Sequence, residues 1–409
     1  MPPPLPPGAS PGGEQIGDVS RLLQAAACFP MFGLHDPSIP SDTVPLLPIA
    51  ARMLGKALFT AVNVHERLQR FDVVSDMGPE GLRAHNALGS DPVADITTRW
   101  APIPDHYVPS PGVSPPPTLL NPFTSQRFTL LNGQIGFRDR KVTGLQVFGT
   151  GRTFPIGGGA LNLGAVIDVF QGTGALHGLS NGSLPGATLV IDGVIRPPND
   201  LAFSLVMRVM DPEGQLTTAA PAPPLATAEP MPAAAGTVMT FLGEADPRRP
   251  MRLLYGSGPA PIGAQIFENL RLVRIGFDKE TLQSSTQPGP IVGTASSLLY
   301  CSFQNENTVT TAQTTGGVFS FHDLQGRSLG SLFINMVEGR AFRTWLPGAP
   351  YPVFRMGGFG PFVNGTGSFA GARGMMTVNG VVSAFPPTLS NLYTLRFLDG
   401  GARLLGLAA

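Results

Sequence analysis

The sequence is poor in charge, in lysine and in cysteine. Charged residues make up 13% of the 409 positions and are balanced, 27 basic against 27 acidic. That balance leaves no electrostatic footprint for nucleic acid or for an anionic membrane. Three of the basic residues are lysines (Lys56, Lys141 and Lys279) and the rest are arginines, a bias that fits a GC-rich bacterial source. The two cysteines, Cys28 and Cys301, lie far apart and form no metal or redox motif. Six histidines show no ligand spacing, so neither a metal nor another cofactor is expected. The start, Met1–Gly13, has no basic segment followed by an apolar one and does not read as a secretory signal. A cytoplasmic location is the expectation. Two Gly-x-Ser-x-Gly strings, 178–182 and 326–330, precede strand-like sequence rather than a helix, which a nucleophile elbow needs.

Glycine and proline are abundant instead, 51 and 43 residues, and they punctuate a repeat. Asn364-Gly-Thr-Gly-Ser-Phe-Ala-Gly-Ala-Arg-Gly374 recurs in weaker form as Gln171-Gly-Thr-Gly-Ala-Leu-His-Gly-Leu-Ser-Asn181. Around it, Leu189–Val194 matches Met376–Val381, and the Arg208-to-Asp211 strand end matches Arg396-to-Asp399. Upstream, Gly151-Arg-Thr-Phe154 matches Gly339-Arg-Ala-Phe342, and Phe137-Arg-Asp139 matches Phe321-His-Asp323. The landmarks keep their order, and spacing changes where turn residues sit. That pattern points to one fold present twice.

The chain divides accordingly. Residues 1–15 are too polar and proline-rich to offset the entropy of ordering. Residues 16–122 read as a helical and proline-rich extension, with helices over Val19–Cys28 and Pro48–Arg70. The second carries an apolar stripe of Ile49, Met53, Leu54, Leu58, Val62 and Leu68. Arg52, Lys56, His65, Glu66 and Arg67 interrupt it too early for a membrane span. It is expected to pack on a barrel or on a second copy of the chain in a homo-oligomer. Residues 72–122 read as an extended arm anchored by Trp100 and Tyr107. Short runs rich in Val, Ile, Leu and Phe make 123–214 a first barrel-like repeat, with room to recruit strands from 86–122. An Ala/Pro linker spans 215–236, and 237–409 is a second barrel-like repeat. In Leu201–Met210, alternation puts Phe203, Leu205, Met207 and Val209 on one face.

The glycine motif, with Phe321-His-Asp323 upstream and Glu338-Gly-Arg-Ala341 between, resembles the signature of the dirigent proteins, which share the allene oxide cyclase β-barrel. The resemblance covers most of 317–398 and, more weakly, 134–211. It implies a mainly β fold of two tandem eight-stranded antiparallel barrels behind the N-terminal extension. It also implies an apolar interior that binds a hydrophobic small molecule and steers a reactive intermediate without a cofactor. Where the family pattern often carries an acid, this chain has Ser368, while the motif arginine, Arg373, is kept. The first copy has Ala175 and Ser180 there, so the second barrel is the expected seat of any activity.

The candidate catalytic residues are Arg373, Asp323 and Arg340. A guanidinium in an apolar cavity would stabilise a developing oxyanion; an arginine tying the loop at the surface is the alternative. Asp323 and its equivalent Asp139 would serve as an acid or base with a raised pKa at a barrel mouth, or would cap backbone N–H groups of a turn. Arg340 and its equivalent Arg152 share their position in divergent surroundings, which favours structure. Ser368, Phe369, Trp345 and Tyr351 are the candidates for lining the cavity. Two functions follow. One is a cyclase or isomerase of bacterial secondary metabolism, acting on a hydrophobic intermediate held in a near-attack shape. The other is a non-catalytic ligand-binding or scaffold protein whose barrels are filled by phenylalanine, leucine and methionine.

Overall fold

The structure is a computed structural model. It describes residues 26–35, 43–45, 60–78, 81–103, 126–179, 186–196, 200–211, 214–218, 220, 228–230, 236–246, 252–255, 262–273, 276–285, 289–305, 309–344, 353–384 and 387–399. These residues are mainly strand. In the first half the strands are β1 (Ala26–His35), β2 (Thr43–Pro45), β3 (Thr60–Gly78), β4 (Gly81–Ile103), β5 (Gln126–Phe137), β6 (Gly144–Gly157), β7 (Ala160–Gly172), β8 (Ala187–Arg196) and β9 (Asp200–Met210). Two short pieces follow, β10 (Thr217–Thr218) and β11 (Ala228–Pro230). The second half has β12 (Thr237–Glu244), β13 (Arg252–Tyr255), β14 (Ile262–Val273), β15 (Phe277–Asp278), β16 (Gln283–Ser285), β17 (Gly293–Asn305), β18 (Val309–His322), β19 (Ser328–Thr344), β20 (Val353–Gly365), β21 (Arg373–Ala384) and β22 (Pro387–Asp399).

An eight-stranded antiparallel barrel closes in the first half. Its staves run β4-β5-β6-β7-β8-β9-β1-β3, and β3 pairs back onto β4. In the second sheet the order β12-β22-β21-β20-β19-β18-β17-β14 likewise returns on itself, because β12 pairs with both β22 and β14. The repeat read from sequence reappears as register. Arg127 faces Arg152, which faces Gly164, just as Thr311 faces Arg340, which faces Gly357. Asp168 faces Thr188, which faces Arg208, just as Pro361 faces Met375, which faces Arg396.

Among the described residues neither N-terminal helix is found. The described part of Val19–Cys28 belongs to β1, and Thr60–Arg70 belongs to β3; the rest of both lies outside the described residues. The physical reason is a second periodicity. From Val62 onward, Val64, Glu66 and Leu68 alternate with Asn63, His65 and Arg67, so the stretch also satisfies a period of two. Pairing on both sides, with β1 and β4, then decides for strand. The arm expected over 72–122 holds β4, a stave of the barrel. Tyr107 lies outside the described residues. β20 falls largely where glycines and prolines read as loop.

Alternation sets the cores. In β9, Phe203, Leu205, Met207 and Val209 enter the first core, as expected. In β4, Ala94, Ile96 and Thr98 are buried while Asp95, Thr97 and Arg99 are exposed. Among the described residues no helix is long and apolar enough to cross a membrane. One end of the first barrel is sealed by residues from the second half. Phe277, fully buried, packs edge-on to Phe29 at 5.3 Å between centroids, beside buried Leu282. The Arg70 guanidinium lies over the Phe277 ring at 5.7 Å. Ser284 fixes the plug, accepting from the Cys28 amide at 3.2 Å and donating its own amide to Leu216 O at 2.7 Å.

Candidate functional site

The glycine motif builds a turn that drives one side chain into the core, and it does so in both copies. Gly174 and Gly367 take φ of 63° and 60°, the left-handed region that glycine enters without strain. Each opens a single 3-10 turn, Gly174–Leu176 or Gly367–Phe369. Thr366 ties it down by donating its amide to Ser331 O (2.8 Å) and accepting from the Ser331 amide at its hydroxyl (3.1 Å). Thr173 does the same with Gly144, at 2.8 and 3.0 Å. The turn drives Leu176 or Phe369 into the core beneath. Phe369 meets Phe321 at 4.9 Å and Phe397 at 6.1 Å. It is a core residue, and Ser368 beside it is exposed.

Arg373 does not enter a cavity. It is exposed at the start of β21 and donates to the Ile156 carbonyl at 2.8 Å, across to the first half. The short turn before it holds Phe369 inward and leaves position 373 outward. Asp323 is buried in the β18–β19 turn and accepts from the amides of Gln325 (2.9 Å) and Arg327 (2.8 Å) and from Arg327 Nε (2.7 Å). Burial pushes its pKa up, but those hydrogen bonds and the Arg327 charge outweigh it and hold the carboxyl below its ordinary range. The raised pKa expected of it is therefore corrected. Asp139 repeats the pattern, accepting from the Thr143 amide and hydroxyl, both at 2.7 Å. Arg152 is buried and pairs with Glu338 at 2.9 Å, alongside Arg127 at 2.5 Å. Arg340 is half-buried on β19. Trp345 and Tyr351 lie outside the described residues. The residues expected to converge are thus spread over turns and outer faces.

A different residue stands inside the first barrel. Glu66 on β3 is 6% exposed. It alternates with exposed Arg67, shares the face of Leu68 in the core, and sits opposite buried Ile96 on β4. It makes no hydrogen bond or ion pair with any described residue, and burial alone pushes its pKa well above the ordinary glutamate range. Burial disfavours the charged form of such a carboxyl, and its neutral form is a proton and hydrogen-bond donor. Going along β3 from the sealed end, Arg70 comes first, then Leu68, then Glu66. Towards the other end the inward face of β4 continues with Thr98 and Trp100, the indole N–H donating to the Thr98 hydroxyl at 2.9 Å. Half-buried Trp100, Ile195 and Leu201 close over the core there. The second sheet has no acid at the matching register. Phe267 faces Ser297 in the place where Glu66 faces Ile96. Its core holds Phe319, Phe321, Tyr393, Phe369, Phe397 and Phe362 in successive ring contacts of 4.9–6.1 Å.

Sequence reading missed Glu66 as an interior residue because the stretch was assigned to a helix, where the acid served only to interrupt an apolar run. The usable signal was its place in the alternation Val64, Glu66, Leu68. Among the described residues no group of three or more His, Cys, Asp or Glu gathers to hold a metal ion. No family model matches the chain, and no curated protein matches it. A solved structure, OccK9 (OpdG) of Pseudomonas aeruginosa, aligns over 91% of this chain and 98% of its own at 8% identity, with a TM-score of 0.12. A likeness that low carries no argument.

Proposed function

We propose that the protein binds an uncharged, apolar small molecule at the Glu66 end of its first barrel and assists a cofactor-independent cyclisation or isomerisation there. The observation that carries this is Glu66, a 94%-buried carboxyl that has no partner among the described residues and stands beside core Leu68 and Ile96. An unpaired acid costs stability, and a bound molecule with an acceptor oxygen would supply the missing partner. Glu66 would donate its proton, or a hydrogen bond, to that oxygen as charge develops on it. Trp100 would offer the rigid flat wall. The architecture on this reading is the tandem dirigent-like one, with the seat of activity moved from the second copy to the first. Reactive apolar intermediates of secondary metabolism are the substrate class, because they need shelter from water.

A second reading, a scaffold with filled barrels, is favoured by the packed aromatic rings of the second core. Native mass spectrometry of the purified chain, with organic extraction of whatever is retained, separates the two. The expected result is a retained or titratable apolar ligand bound once per chain, lost at least tenfold in affinity in Glu66→Leu. A clean mass unchanged across a panel of apolar carbonyl and epoxide compounds would leave the scaffold reading in possession.

A further inference from the structure

The outer faces that join the two halves repeat each other. In the equivalence that the strand registers set, Gly164 corresponds to Gly357, Val166 to Phe359, Thr188 to Met375 and Arg208 to Arg396. A Cβ at Gly164 would strike the Phe359 ring, and a Cβ at Gly357 would lie 2.6 Å from Val166 Cγ1. Each half thus presents a glycine hole to the other half's knob, at matching positions. Arg396 crosses to the first half, where its guanidinium donates to Asp192 Oδ1 (3.2 Å) and Ser204 Oγ (2.7 Å). Arg208 crosses the other way, to the Asn379 and Ser390 carbonyls and to Ser390 Oγ at 2.6 Å. Asp192 and Asn379 are themselves equivalent. The connections after the second stave reach across as well. Phe277 and Leu282 enter the first core, while Leu88 of the long β3–β4 hairpin packs with Val238 of β12.

We infer that this contact is a two-fold dimer interface carried within one chain, and that the second half is the obligate partner of the first. Reciprocity of this kind, residue i on j and j′ on i′, is what a two-fold axis imposes on a self-complementary surface. Two unrelated modules joined by a linker have no reason to show it. The surface is also built like an obligate one. At its centre Phe154, Val166, Phe359 and Met375 form an apolar cluster. Arg355 and Arg396 beside it are at most 1% exposed. Faces of this composition are hard to leave bare to water. The inference does not depend on the role given to Glu66.

The test uses the full chain with a protease site inserted between Ala220 and Ala228. After cutting, the halves are expected to stay together as a 1:1 complex in native mass spectrometry on dilution to about 10 nM, where a contact weaker than about 100 nM has mostly come apart. Separation into monomers overturns the inference. Within the cut complex, Gly164→Val and Gly357→Val are each expected to lower the urea concentration at which the halves part. Phe359→Ala should relieve the first and Val166→Ala the second. Relief at one site only, or at neither, overturns the two-fold relation even where the halves remain joined.

Discussion

Glu66 imposes a pH dependence whose sign is fixed by where its proton sits. Its folded pKa lies well above the ordinary range because of burial, so the folded chain keeps a proton that the unfolded chain releases. Stability from this group is fully present below the unfolded pKa of about 4.3 and is lost as pH rises through the folded value, by about 1.4 kcal/mol per unit between the two. Glu66→Gln removes the titration and should flatten that limb. Glu66→Leu removes the unpaired group as well and is expected to stabilise the fold by about 1–3 kcal/mol at pH 7. Urea unfolding at half-unit pH steps measures both. Equal slopes for the parent and Glu66→Gln would mean that the carboxyl is not buried as described. A gain in stability with a loss of ligand is the expected signature of a functional residue that the fold does not need.

The Gly-Thr-Gly turn is the element that sequence alone read best and interpreted least well. Its recurrence located the repeat, and the registers around it agree in both halves. Its chemistry was misassigned because a motif says which residues are fixed without saying which way they face. Phe369 is inward, and Ser368 and Arg373 are outward. Phe369→Ala should therefore cost about 3–5 kcal/mol, as the removal of a fully buried ring does, while Ser368→Ala should cost almost nothing. Gly367→Ala combines a positive φ with a Cβ 2.5 Å from Leu329 O and should lower the melting temperature clearly. Thermal unfolding of the three variants decides it, and loss of ligand without loss of stability in Ser368→Ala would return the site to the second half. The staves of both halves were legible where β-branched and aromatic residues alternate between turns, as in β9 and β21. β3 was not, because a helical stripe runs into it and competes with the strand pattern, and β4 was read as an arm with room for strands in 86–122. β20 was hidden by its glycines, one of which, Gly357, makes room for Val166 of the other half. That reason exists only in the assembled molecule.

At the scale of the whole molecule, charge is concentrated where two barrels' worth of staves meet. Asp168 and Asp192 are pushed up to about 6 by burial, against the pull of Arg355 and Arg396 respectively. Each keeps one carboxylate oxygen without a hydrogen-bond partner. A folded pKa above the unfolded value of about 3.9 stabilises at low pH and loses that contribution as pH rises. The window runs from about 4 to about 6. Acids held low, such as Asp323, act in the opposite sense and lose their contribution as pH falls below about 4. The two classes together place the stability maximum near pH 4–5, at the acidic edge of the usual range. Asp168→Asn and Asp192→Asn each replace a titrating group by one of the same shape and should remove part of the decline between pH 4 and 6. The cut complex should show the same dependence in the separation of its halves, because both acids lie on the shared face and meet arginines from the other half. If the pH profile of unfolding moves in these variants while that of separation does not, the seam and the barrels respond independently. If both move together, the interface and the fold are one cooperative unit, as a dimer carried within a single chain requires.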